Sequence, residues 1–404
     1  MFSFNLIAKE GDARAGRLIT PHGSIETPSF VAVGTQAAVK GVSGDDLKEI
    51  GTQIIIANAY HLHLQPGEET VEKMGGLHSF MNWNGPMMTD SGGFQIFNLG
   101  AAKEHGVGKI ASIFPDEQNR GGHFSSKKKK SLIKVGEDGV EFISYLDGSK
   151  HRFVPEGVID IERRLGADII LVLDECTSPL HDYKYTRNAM KRTHNWAACA
   201  FEKFKSISNS PQSLFGVVQG GAHKDLREKS ASFIGNMGFD GYAIGGSLGR
   251  SKDDMHQVLE WTTPLLPYDK PRHLLGIGEI EDIFEVVARG IDMFDCIAPT
   301  LMARTGTLFV KSAKRFRIHI LNSKFKDDSG SIEEWCNCYT CCNYSRAYLR
   351  HLFKSKELLA VQLAAIHNLS FVESLMHQIR TAIKEGHFAI LRDDWLSSNG
   401  ENFS

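Results

Sequence analysis

Eight short apolar runs, each broken off by polar residues or glycine and followed by a stretch with helical spacing, constrain this chain more than any other feature. They read SFVAVGT (29–35), QIIIANAYH (53–61), PMMTDSGGF (86–94), ADIILVLDECT (167–177), LFGVVQGG (214–221), GYAIGGS (241–247), HLLGIGE (273–279) and MFDCIAPT (293–300). Near-continuous apolar runs belong to strands buried on both faces, the condition of a parallel sheet covered by helices. Eight such units in 404 residues point to an α/β chain folded as a (β/α)8 TIM barrel rather than an open doubly wound sheet. No GxGxxG follows the first run, which agrees with that choice.

The segments outside the runs read differently. Residues 1–35 carry the turn signals ARAGRL, TPHGS and ETPSF between β-rich pieces, as a small N-terminal antiparallel sheet would. Residues 101–135 break the rhythm with Gly121-Gly122, Ser125-Ser126 and the lysine run Lys127 to Lys130, and are read as a loop insertion. A hairpin with the turns GEDG and LDGSK follows. There is no apolar run long enough to span a bilayer and no secretory leader, so the expected location is the cytoplasm.

Strand C-termini in a barrel share one mouth. That rule gathers Asn58, Asp90, Ser91, Gly92, Asp174, Glu175, Gln219, Gly245, Gly246, Gly278 and Asp295. Carboxylates and amide oxygens accept hydrogen bonds from N–H groups, so this set suits a flat nucleobase better than a phosphate. Asp295 ends an apolar strand that Pro299 soon stops, the way a barrel delivers a catalytic side chain. It is the expected nucleophile, attacking carbon.

Net charge is −2, so any polyanion surface must be local. Between Cys296 and Lys326 there is no Asp or Glu, whereas Arg304, Lys311, Lys314, Arg315, Arg317, Lys324 and Lys326 all occur. Such one-sided clustering suits phosphate contact. Beyond it, Cys336, Cys338 and Cys341 form C-x-C-x-x-C, three soft ligands in one loop. His367, on a segment with helical spacing, supplies a fourth, with Cys342 as the alternative. A closed Cys3His shell has no open position, so one Zn2+ there would be structural.

With these residues laid out, TDSGGFQ (89–95), LDECT (173–177), VVQGG, AIGGS (243–247), LLGIGEIEDI (274–283), DMFDC with its following PT and AR.G (292–306), and CNCYTCC with its later HN together resemble the tRNA-guanine transglycosylases of bacterial type, also called queuine tRNA-ribosyltransferases. The resemblance implies one barrel unit over 1–386, carrying the 101–135 insertion and a zinc-binding subdomain at 307–386, with 387–404 as a C-terminal tail. It implies a homodimer that replaces guanine at the wobble position of tRNAs with GUN anticodons by a 7-deazaguanine. By motif, Asp295 would be the nucleophile and Asp90 the general acid/base. Asp90, Ser91, Gly92, Gly93, Phe94, Asp174, Gln219 and Gly246 would line the base pocket. Gly276, Ile277, Gly278, Glu279, Ile280, Glu281 and Asp282, with Thr300, Leu301, Met302, Ala303 and Arg304, would touch RNA. Cys336, Cys338, Cys341 and His367 would hold zinc.

The chemistry agrees with the residues. Exchanging one base for another with retained configuration takes two displacements, as in retaining glycosidases with paired carboxylates. The sequence also departs from the family pattern. Gly245 onward reads GGSLGRSKDD, placing Arg250 near the position of a glutamate, and Leu301 replaces an arginine after the nucleophile. If that glutamate senses the aminomethyl cation of preQ1, an arginine there would repel it, which adds the hypothesis of a neutral, larger or differently oriented base such as queuine. Two competing readings are a catalytically silent RNA-binding partner subunit and a barrel N-glycosidase of other specificity. The archaeosine enzymes fit less well, because only 37 residues follow His367.

Overall fold

The computed structural model describes residues 2–97, 133–207 and 210–397. Strands β1 (Ser3–Glu10), β2 (Ala13–Thr20) and β3 (Gly23–Thr27) form the N-terminal antiparallel sheet. Strands β4 (Ser29–Val33), β5 (Ile55–Asn58) and β6 (Met87–Asp90) enter the barrel. A second antiparallel sheet, β7 (Ile133–Gly136), β8 (Gly139–Ile143) and β9 (Lys150–Phe153), then interrupts it, turning at the two sites expected from sequence. The barrel resumes with β10 (Ile169–Leu171), β11 (Ser213–Val218), β12 (Gly241–Ile244), β13 (Arg272–Leu274) and β14 (Met293–Cys296). It closes on itself, with β14 parallel to β4. All eight apolar runs are therefore barrel strands. Most of the 101–135 insertion, with Lys127 to Lys130, lies outside the described residues.

Burial explains the sequence pattern. Every residue of β5, β11 and β12 is buried, whereas β1 alternates exposed and half-buried positions. The intervening helices are conventionally bounded. Helix Pro155–Leu165 starts on proline, buries Val158, Ile159, Ile161 and Leu165 at helical spacing, and ends at Gly166 with φ +78°. Ser43 with Asp46, and Ser251 with Asp254, close capping boxes on two others.

The N-terminal end of the barrel is stapled by three aspartates, each immediately before an alternate strand. Asp168 precedes β10 and accepts the Met87 N–H of β6 at 2.8 Å; Asp240 precedes β12 and accepts the Leu214 N–H of β11 at 3.0 Å; Asp292 precedes β14 and accepts the Arg272 N–H of β13 at 2.8 Å. The wholly buried Arg14 of β2 adds two hydrogen bonds to Asp292, fastening the outer sheet to the barrel floor.

Strands β15 (Thr307–Phe309) and β16 (Arg317–His319) open the region that follows the barrel. Helix Leu358–Glu385 ties that region down. Its first turns contribute Ala360, Leu363, Ala364 and Ala365 to a second core, while Leu369, Phe371, Val372, Leu375 and Met376 enter the barrel core. By length and hydropathy this helix is apolar enough to cross a membrane, but 67% of its most apolar window is packed inside the protein. The segment expected as a tail continues as helix Phe388–Ser397. Its first N–H groups bond the Glu10 carboxylate and its Trp395 is fully buried; residues 398–404 lie outside the described residues.

Candidate active site and metal centre

Three carboxylates meet at the barrel mouth. Asp90 ends β6 in register with Asn58 of β5, whose side-chain amide donates to Asp90 Oδ2 at 2.7 Å, while the Gly92 N–H donates to Oδ1 at 3.2 Å. Burial pushes the Asp90 carboxyl up to about 6; the Gly92 N–H opposes the shift and the charge of Asp295 adds to it. Asp174 lies just beyond β10 and accepts a hydrogen bond from Gln219 Nε2. Burial, then the charge of Asp90, push it up to about 7. Among the described residues, no lysine or arginine pairs with Asp90, Asp174 or Asp295.

Glycines let the pocket segments close on one another. A Cβ on Gly93 would fall 2.5 Å from the Asp174 carbonyl oxygen and 2.8 Å from its Oδ1. One on Gly246, at φ +74°, would fall 1.9 Å from Gln219 Oε1. Gln219 Oε1 and Ser91 Oγ are buried with no partner among the described residues. Unsatisfied buried polar atoms are uncommon in native interiors. These two sit where a polar ligand would complete them.

Asp295 of β14 is held from β13. His273 pairs in register with Met293, which shares a strand face with Asp295, so the imidazole reaches upward to it. His273 Nε2 lies 3.0 Å from Asp295 Oδ1, and the Gly276 N–H donates to the same oxygen at 3.3 Å. Arg227 underlies the other side. Its guanidinium donates to the carbonyls of Val218, Gly221, Gly245 and Ser247, binding the β11 and β12 mouth loops together. Burial, with no carboxylate partner among the described residues, lowers its pKa to about 9. Glu175 is not in the pocket. It is buried against Arg192 in a two-pronged ion pair at 2.6 and 3.0 Å, and Thr193 caps its N–H.

The residues assigned to RNA divide by burial. Ile277, Gly278, Ile280, Asp282, Thr300 and Ala303 are buried, with Asp282 ion-paired to Lys252 at 2.7 Å; Leu301 and Arg304 are exposed, and Gly276, Glu279, Glu281 and Met302 are intermediate, while Phe94, expected to line the base pocket, is exposed. The basic strip is partly neutralised from elsewhere, Lys311 by Asp394 and Arg317 by Glu279. Arg250 is exposed at the start of helix Lys252–Thr262.

The four expected metal ligands converge. His367 Nδ1 lies 3.8 Å from Cys336 Sγ, 3.8 Å from Cys338 Sγ and 3.3 Å from Cys341 Sγ. A tetrahedral ion with ordinary metal–sulfur and metal–nitrogen bonds sets such pairs about 3.6 Å apart. His367 Nε2 donates to the Phe309 carbonyl at 2.7 Å, which fixes the tautomer and turns the Nδ1 lone pair toward the sulfurs. These four can hold a metal ion. A second cluster, His22, His78 and Asp168, is close-packed, but the two imidazoles stack 3.5 Å apart at 17°. Their in-plane lone pairs run nearly parallel and cannot converge on one ion. Each ring bonds a separate Asp168 oxygen instead.

Sequence reasoning missed His273 and Arg227. His273 left a faint signal, a polar residue opening an apolar run. Arg227 left none, because KDLREKS reads as a solvated helix.

Comparison with known proteins agrees with this geometry. The family model for queuine tRNA-ribosyltransferase matches residues 9–114 and 118–401. A putative queuine tRNA-ribosyltransferase of Archaeoglobus fulgidus is 49% identical over 95% of this chain and 96% of its own length. Queuine tRNA-ribosyltransferases of Roseiflexus sp. and Caldanaerobacter subterraneus are 46% and 47% identical, each over 95% of this chain and over 96% and 93% of their own lengths. With a closed barrel, a carboxylate-lined mouth and a match across nearly its whole length, the chain belongs to the queuine tRNA-ribosyltransferase family and is a tRNA-guanine transglycosylase.

Proposed function

We propose that the enzyme replaces guanine at the wobble position of tRNAs with GUN anticodons by a 7-deazaguanine, preQ1 or queuine, through a covalent ribosyl-aspartate. The observation that carries this reading is the meeting of Asp90, Asp174 and Asp295 at one mouth, with no lysine or arginine paired to them among the described residues. Asp295 attacks C1′ as the C1′–N9 bond breaks, and Asp90 protonates the departing base. The incoming base then loses its proton to Asp90 and displaces the ester oxygen. A carboxyl near pKa 6 suits a group that must both give and take a proton around neutrality. Asp174, Gln219 and Gly246 bind the base edge, and the wobble nucleotide leaves its stack to reach them.

Leu301 and Arg304, exposed in and at the end of helix Ala298–Ala303 just after the nucleophile's strand, are the contacts proposed for RNA near the wobble base. Cys336, Cys338, Cys341 and His367 hold one Zn2+ that stabilises the second core and takes no part in bond making. The enzyme works as a cytoplasmic homodimer.

Radiolabelled guanine exchange into a GUN-anticodon tRNA tests the reading. Wild-type protein should exchange guanine, while Asp295→Ala should bind tRNA yet trap no denaturant-stable complex. Exchange by the alanine protein would remove Asp295 from the role. Incorporation of preQ1 and of queuine, measured side by side, decides the incoming base.

A further inference from the structure

The hydrogen bonds on Asp295 are asymmetric. Oδ1 faces two donors, His273 Nε2 at 3.0 Å and the Gly276 N–H at 3.3 Å, and no hydrogen bond is made to Oδ2 among the described residues. A carboxylate only accepts, so Nε2 carries the imidazole hydrogen. His273 Nδ1 is buried with no partner among the described residues, and the ring is fully enclosed between strands. A side chain this enclosed has its direction fixed by packing. Among the described residues its one side-chain hydrogen bond is to the proposed nucleophile.

We propose that His273 is a positioning residue that fixes Asp295 Oδ1, leaves Oδ2 to attack, and eases release of the ribosyl ester. The inference rests on Asp295 being the nucleophile. In the first displacement Oδ2 bonds C1′, the C1′–N9 bond breaks, and the electron pair leaves with N9, which takes the Asp90 proton. Oδ1 becomes the ester carbonyl oxygen and still accepts from His273 and Gly276. In the second displacement N9 of the incoming base gives its proton to Asp90 and bonds C1′. The C1′–Oδ2 bond breaks and its electrons return to the carboxylate. Donors already aimed at Oδ1 stabilise that returning charge without rearrangement. The same donors lower the nucleophilicity of the free carboxylate, so their loss slows the second step more than the first.

The test compares His273→Leu with His273→Gln, whose amide keeps a donor at similar reach. His273→Phe supplies the donor-free comparison should the leucine protein not fold. Removing a hydrogen bond to a charged group predicts a kcat for guanine exchange roughly ten- to a hundred-fold lower, with KM for tRNA falling alongside it, so that kcat/KM for tRNA changes much less than kcat. The fraction of enzyme caught as a denaturant-stable tRNA complex during turnover should rise, and His273→Gln should recover much of kcat. Wild-type kcat in the donor-free protein, or a kcat loss with no rise in trapped complex and no recovery by glutamine, overturns the proposal. Asp295→Ala, run alongside, separates the outcomes. A covalent complex in that protein would instead overturn Asp295 as the nucleophile.

Discussion

The two ends of the barrel use the same residue type in opposite ways. At the N-terminal end Asp168, Asp240 and Asp292 each accept the N–H of a neighbouring strand, and Asp292 also holds Arg14. At the mouth Asp90, Asp174 and Asp295 have amide or imidazole partners but no lysine or arginine among the described residues, and Asp90 and Asp174 are pushed up to about 6 and about 7. Asp292 and Asp295 flank only Met293 and Phe294. The difference teaches that a barrel strand has a structural end and a chemical end. Carboxylates at the floor bind strand N–H groups and Arg14, whereas burial holds Asp90 and Asp174 at the mouth in a state that costs stability.

The largest effect that would break this contrast is at Asp90. Asp90→Asn should lower guanine exchange by about 10²- to 10⁴-fold and yet stabilise the protein. A carboxyl with its folded pKa raised above the unfolded value loses stability as pH rises between the two, from 3.8 to about 6. The asparagine protein should therefore gain up to about 3 kcal/mol at pH 8 and nothing below pH 4, as read from denaturant unfolding at both pH values. At the floor, Asp292→Ala leaves Arg14 buried without its partner and should destabilise by about 3–5 kcal/mol. The contrast weakens if that protein unfolds at the wild-type midpoint. The smallest effect belongs to the exposed pair Arg17–Glu26 on the outer sheet. Arg17→Ala should shift stability by less than about 1 kcal/mol, with exchange unchanged.

Much of this was legible in the sequence, for physical reasons. Strands such as β11 and β12 are buried at every position because helices cover one face and the barrel interior the other, so their nearly continuous apolar runs stood out. The metal ligands stood out because Cys336, Cys338 and Cys341 place three soft donors in one short loop, a density that suits a metal ion and that a packed core does not need. The partners of the mouth residues did not. His273 acts across a strand pairing that only the closed barrel sets, and Arg227 binds carbonyls of loops up to 20 residues away. The terminal helix was hidden for a similar reason. Its Trp395 packs against Phe284, Phe316 and Phe371, residues far away in the chain.

Asp295→Asn, assayed for guanine exchange and denaturant unfolding on one preparation, tests the division of labour most directly. The substitution keeps the shape and hydrogen-bond reach of the side chain while removing its charge. Exchange should vanish while the unfolding midpoint stays at or above the wild-type value. Retained exchange, or a loss of stability like that of Asp292→Ala, would contradict the account.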